Sequence, residues 1–160
     1  MMNTREIAPA VASLYSELVN GIPESNGYIL NRGDSGLIHS LDKLSASAAS
    51  ATNPDGASVA AHARHVSYAL SVLNRWANGE NPFQDAHWAA AWKKSIVDID
   101  EWDALRDELR RESAAWEKNL GNPREVDEVE LRGVLASVAH IAYHLGAIRQ
   151  IDREIRGPSS

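Results

Sequence analysis

Residues Asp127 to Arg156, DEVELRGVLASVAHIAYHLGAIRQIDREIR, decide how the rest of the chain is read. Val138, Ile141, Leu145 and Ile148 recur at spacings of three and four, which is the period of one helical face. Asp127 followed three residues later by Glu130 forms a capping-box pattern, so a helix is predicted from Asp127 to about Arg156, the longest element of the chain. His140 and His144 stand four apart within it. At 100° per residue their side chains lie about 40° apart, one turn above the other. Ala147 and Ile151 continue their face beside the apolar arc, which aims both imidazoles into the protein interior. Such a pair can hold one metal ion, although two imidazoles alone make a weak site.

The same helical period recurs upstream, between breaks rich in Gly, Pro and Asn, while strand-like alternation never runs beyond a few residues. The fold class expected is therefore all-α. A first helix is predicted from about Thr4 to Asn20, with Val11, Leu14, Tyr15 and Leu18 on one side, Pro9 starting or kinking it, and Gly21 with Pro23 ending it. Ile22 to Gly36 holds too many turn residues for a helix and reads as a long loop. Leu37, Ile38, Leu41 and Leu44 set a helix from about Ser35 to Ser50, stopped by Asn53-Pro54-Asp55-Gly56. Ser58 caps the next, which runs through His62, His65, Ala69, Leu73 and Trp76 to Asn78-Gly79. From Glu80 to Val97, Pro82 and the aromatics Phe83, Trp88 and Trp92 read as a capping loop with a short helical piece, able to roof a pocket. Trp102, Leu105, Leu109 and Trp116 mark a helix from about Asp100 to Leu120, ended by Gly121-Asn122-Pro123.

Composition bounds the partners. The chain has 160 residues, the size of one domain, with 44% hydrophobic and 24% charged residues, as in ordinary globular proteins. The division expected is an extension over residues 1–34, helix and loop, followed by a helical bundle over residues 35–156. Sixteen Lys and Arg against 22 Asp and Glu leave a net charge of −6, without the basic footprint of nucleic-acid or anionic-membrane binding. There is no cysteine, so disulfides, thiolate nucleophiles and thiolate metal sites are excluded and His and carboxylates are left as metal ligands. A basic segment leading into a long apolar run is missing at the N-terminus, and no stretch reaches about 18 uninterrupted apolar residues, so a cytoplasmic protein without a membrane span is expected.

Besides His140 and His144, His62 and His65 are three apart on a predicted helix, and His65 shares its face with Ala69, Val72 and Trp76. A third ligand from that helix is geometrically plausible, and three imidazoles leave a coordination position open for water or substrate. Imidazole binds zinc, nickel, copper and iron alike, and the sequence does not choose among them. H-I-A-Y-H lacks the Glu that follows the first His in H-E-x-x-H metalloproteases, which excludes a zinc protease of that kind. His62 is the best titratable neighbour and the one candidate for a catalytic role, as fourth ligand, as donor behind a ligand, or as acid/base group. Partly buried histidines bonded to their neighbours are the plain alternative for each pair. His39 and His87 have no partner at ligand spacing. Tyr143 is expected against a neighbouring helix, Arg149 in a salt bridge or clamping an anion, and Trp76 as the tryptophan nearest the site.

AHIAYHLGAIRQI, Ala139 to Ile151, resembles the last-helix motif of the DinB/YfiT-like proteins, and SVAAHARHVSYAL, Ser58 to Leu70, resembles their preceding histidine helix. The resemblance covers roughly Ser35 to Arg156 and adds Tyr143, Gly146 and Ile148-Arg149-Gln150 to the histidines. It implies a four-helix bundle with a long crossover, holding a divalent metal ion (zinc, nickel or iron) on His65, His140 and His144. It implies a metal-dependent enzyme that transfers a low-molecular-weight thiol, such as bacillithiol or mycothiol, to a small electrophile, or that hydrolyses a small substrate. The alternative is a non-catalytic metal-binding or stress-related bundle that self-associates. A homodimer is expected because symmetric dimers are the commonest assembly.

Overall fold

The computed structural model describes residues 1–22, 24, 26–52 and 56–158. Pro23 and the stop signal at Asn53, Pro54 and Asp55 lie outside the described residues. The fold is all-α, with six helices among the described residues: α1 (Ala8–Asn20), α2 (Gly36–Asp42), α3 (Ala46–Ser50), α4 (Val59–Ala77), α5 (Ile99–Gly121) and α6 (Glu128–Ile151). Two short antiparallel strands, β1 (Met2–Asn3) and β2 (Glu125–Val126), pair the N-terminus with the α5–α6 connection. The connection from α4 to α5 contains two 3₁₀ turns, Pro82–Gln84 and Trp88–Trp92.

Local chemistry explains most boundaries. Pro9 lies in the first turn of α1, where a missing N–H costs nothing. Ser58 accepts the Ala61 N–H and starts α4. Asp127 and Glu130 form the reciprocal capping box read from the sequence, and Asp98 with Glu101 forms a second one that opens α5. The helix expected from Ser35 to Ser50 is two pieces. Ser45 takes an extended conformation (ψ 161°) and caps α3 by accepting the Ala48 N–H, while the Leu44 carbonyl accepts the indole N–H of Trp102 at 2.9 Å. The last helix stops at Ile151 rather than Arg156, because Asp152 is extended and its side chain caps a separate 3₁₀ turn, Arg153–Ile155.

The four long helices touch in a ring, with α1 against α5, α5 against α4, α4 against α6 and α6 against α1. α1, which the sequence reading put in an extension before the bundle, is one side of this ring. Val11, Tyr15, Leu18 and Val19 of α1 belong to the same buried cluster as Leu109 and Trp116 of α5 and Ile141 and Ile148 of α6. The Tyr15 hydroxyl pairs with Ser113 Oγ at 2.9 Å inside that core, and the Trp116 indole donates to Ser137 Oγ at 2.9 Å. Burying large aromatic bodies is favourable only when their polar ends are satisfied in this way.

The loop after α1 is fixed by two buried carboxylates. Glu17 accepts backbone N–H groups from Tyr28 (3.0 Å), Ile29 (2.6 Å) and Leu30 (2.6 Å). Burial alone raises its pKa, and the three donors outweigh that and hold it below the usual carboxylate range. Asp34 meets Arg149 of α6 in a two-pronged pair at 2.7 and 2.9 Å and accepts the Gly36 N–H at 2.8 Å. Gly21 and Gly36 both take positive φ (80° and 68°) where their backbones cross, and a side chain on either would collide with the other segment. Arg149 is thus in a salt bridge, one of the two roles foreseen for it.

By length and composition α6 could cross a membrane, in contrast to the sequence expectation, which counted uninterrupted apolar residues and so stopped at Arg132 and the histidines. One such helix says little, because the core helix of a water-soluble protein passes the same test. Breaking the Asp34–Arg149 pair leaves a buried carboxylate uncompensated. Arg149→Leu is expected to lower unfolding stability by about 3 kcal/mol in urea denaturation. Adding Asp34→Asn to that variant is expected to restore part of the loss.

Candidate metal centre

The site is assembled where α4 and α6 face each other. Ser58 starts α4 early enough that His62 and His65 fall in its first two turns, and α6 supplies His140 and His144 one turn apart. Three nitrogens converge, since His65 Nε2 lies 3.1 Å from His140 Nε2, which lies 3.0 Å from His144 Nε2. The ligand atoms of His65, His140 and His144 all fall within 4.8 Å of one another. An ion about 2.0–2.1 Å from each of two imidazole nitrogens at a tetrahedral angle sets them about 3.4 Å apart, so small side-chain movements suffice to seat one.

The donor set itself points to an ion. A ring nitrogen donates once or accepts once, and His140 Nε2 faces two others. Hydrogen bonding within the trio therefore leaves one of the two contacts unsatisfied, whereas a cation satisfies all three bare nitrogens together.

His62 stands behind the trio. Its Nδ1 lies 2.8 Å from Nδ1 of His144, on the side of that ring away from His140. For His144 to present a bare Nε2, its proton must sit on Nδ1 and be donated to a bare Nδ1 of His62. This is the usual support of a metal-binding imidazole, a partner that fixes its tautomer and ring orientation. The sequence had offered His62 as a donor behind a ligand; in this arrangement it would instead accept the His144 Nδ1–H, with Nε2 as its remaining site for a proton. His65 Nδ1 is buried without a hydrogen-bond partner.

The imidazoles are neutral at neutral pH, as metal binding requires. Burial, followed by repulsion from His140 and His62, brings the His65 pKa down to about 4. Burial, followed by repulsion from His140, His62 and His65, brings His144 down to about 3. Burial also lowers His62 and His140. The trio includes no carboxylate, so a divalent ion held there keeps its full charge and favours an anion at the open position.

The α4–α5 connection roofs the cluster, as its aromatics had indicated. Trp92 stacks on the His65 ring at 4.4 Å between centroids and meets His62 edge-on at 5.1 Å. Trp88 tilts over His65 at 6.3 Å. Three hydroxyls fasten this roof: Tyr68 accepts the His87 N–H at 2.8 Å, Ser58 donates to the Ser95 carbonyl, and Ser50 accepts the Val97 N–H at 3.0 Å.

Other candidates fall elsewhere. Trp76, expected nearest the site, packs instead against Phe83 and along Gly133, whose missing side chain leaves room for its ring. Trp92 takes the place foreseen for Trp76, and the aromatics Phe83, Trp88 and Trp92 of the capping loop were the signal in the sequence. Tyr143 does not meet a neighbouring helix but is 69% exposed, with its ring edge-on to His144 at 5.0 Å. His39 and His87 are exposed and apart from the cluster. Beside the trio a groove of about 450 Å³ runs between α4 and α6, with His65 and His140 in its wall.

No family profile, curated protein or solved structure matches the chain.

Two outcomes follow from this geometry. His62→Ala is expected to keep one ion per chain but weaken its binding about 10- to 100-fold, as read by competition with a chromophoric chelator. In metal-free protein the unfolded chain takes up protons near pH 6.5 while folded His65 and His144 resist them down to about 4 and 3. Stability should therefore be full above about pH 6.5 and fall progressively below it. Melting at pH 7.5 and pH 5 checks this, with a smaller drop expected for His144→Gln.

Proposed function

We propose that the protein is a divalent-metal-dependent enzyme of the DinB/YfiT-like type, with its ion on His65, His140 and His144. The observation that carries this reading is the convergence of three neutral imidazole nitrogens, with His62 behind His144 setting its tautomer. The motif resemblance of Ser58–Leu70 and Ala139–Ile151 supports the family. The ring of α1, α5, α4 and α6, with its long roofed connection between α4 and α5, supports reading the fold as a four-helix bundle with a crossover.

The reaction class proposed is transfer of a low-molecular-weight thiol to a small electrophile, with hydrolysis of a small substrate as the variant in which water replaces the thiol. A divalent ion held by His65, His140 and His144 would supply a lowered pKa for an attacking thiol or water. In the transfer, the thiol proton leaves to solvent or base, the sulfur lone pair forms the bond to the electrophilic atom, and the leaving group departs with the electrons of the bond it breaks. The chain's own contribution is positional. His62 holds the His144 ring, Trp92 and Trp88 keep water off one side, and the groove leaves the other side open.

A cytoplasmic location and a small-molecule rather than nucleic-acid partner are part of the same proposal, supported by the net charge of −6. A homodimer through the outer face of α6 is supported by Leu135 (50% exposed) and Tyr143 (69% exposed), which with Gly146 form an uncharged stripe there. Sedimentation equilibrium checks it: Leu135→Lys is expected to shift a dimer to monomer.

The deciding experiment is metal content by elemental mass spectrometry on untagged protein. About one ion per chain is expected in wild type and none in His65→Ala or in His140→Ala/His144→Ala. Turnover of thiols with electrophiles such as alkyl halides and epoxides should then appear with the ion and vanish with chelator. An ion bound without turnover would instead support the non-catalytic metal-binding bundle.

A further inference from the structure

The groove beside the histidines has a chemistry of its own. Its volume of about 450 Å³ lies within the range of small-molecule sites, about 300–1,000 Å³. Away from His65 and His140 its wall is Ala69 and Leu73 of α4, Gly133, Ala136 and Ala139 of α6, and Trp88 of the roof, with Ser137 as the other polar residue. No Lys, Arg, Asp or Glu is among the residues described along it. Ser137 is already engaged, accepting from Trp116 and donating to the Val134 carbonyl at 2.7 Å, so its hydroxyl does not look for a ligand.

Ala136 and Ala139 are exposed and Gly133 is half-buried, so the groove opens to solvent along α6, while Ala69 and Leu73 form its α4 side. Trp88 of the roof borders it, and His65 and His140 stand in its wall.

We propose that this groove binds the uncharged, mainly hydrocarbon body of a molecule whose single anionic or metal-binding head reaches the ion between His65 and His140. The inference rests on the metal reading above and adds the substrate class. A long apolar tail leaves water for an apolar wall and gains affinity with each methylene buried. A second charge on the tail finds no counter-ion and loses its hydration. A thiol that carries carboxylates therefore has no place for them in the groove, and the apolar electrophile or hydrolysable substrate is the partner that occupies it.

Straight-chain alkyl hydroxamates test this, because the head binds zinc and the tail length is free. Binding to zinc-loaded protein is followed by calorimetry and by tryptophan fluorescence, from acetohydroxamate upward, with a tail-end carboxylate analogue alongside. The expected result is about a fourfold gain per added methylene over the first several carbons. The carboxylate analogue should lose most of that gain. Ala136→Leu, which narrows the groove one turn from His140 without touching a ligand, should flatten the chain-length series while leaving zinc stoichiometry and acetohydroxamate affinity unchanged. Acetohydroxamate binding without any chain-length gain overturns this inference alone, as does a gain that Ala136→Leu leaves intact. Protein that takes up no zinc overturns the metal reading, and this inference falls with it.

Discussion

The contact on which the structure turns is the meeting of four imidazoles between α4 and α6. Ring nitrogens 2.8 to 3.1 Å from one another form a polar junction between the two helices, and such a junction is costly unless each nitrogen is satisfied. Around it Trp92 covers the rings, and the ring of helices is closed on the far side by α1 and α5. Burial is what holds the imidazoles neutral and thereby suited to a cation.

A second set of polar groups holds the scaffold that carries this junction. Asp34 ties the loop after α1 to Arg149 on the last turn of α6, and Glu17 binds three consecutive N–H groups of the same loop. α6 therefore has its histidine turns anchored at one end by the capping box of Asp127 and Glu130 and at the other by an ion pair. Its two ligand positions are fixed in height as well as in rotation, which side-chain spacing alone does not achieve.

Much of this was legible in the residues. Helical periodicity and the signals at Ser58, Asp127 and Pro9 placed the long helices, because capping acts within four residues and needs no tertiary context. The i, i+4 spacing of His140 and His144 located one half of the site in the same way. Three features were not legible. The split at Ser45 depends on a carbonyl taken by Trp102, 58 residues away in sequence. The integration of α1 into the core depends on partners such as Ser113, 98 residues from Tyr15. The role of His62 depends on which nitrogen of His144 it meets, which only the packing of two helices decides. Trp76 was placed by helical face, and the face was right, but Gly133 draws its ring past the histidines toward Phe83.

One hydroxyl links the start of a helix to the cover of the site. Ser58 Oγ accepts the Ala61 N–H that begins α4 and donates to the Ser95 carbonyl at the end of the roof. The two bonds share an atom, so the roof is latched to the same turn that sets the rotation of His62 and His65. Loosening the cover at Ser95 takes a partner from the hydroxyl that caps α4, while the Tyr68 and Ser50 bonds still hold the cover. The latch makes lid and ligand helix a single mechanical unit, and leaves the sideways groove as the route by which a molecule reaches the histidines with that unit intact.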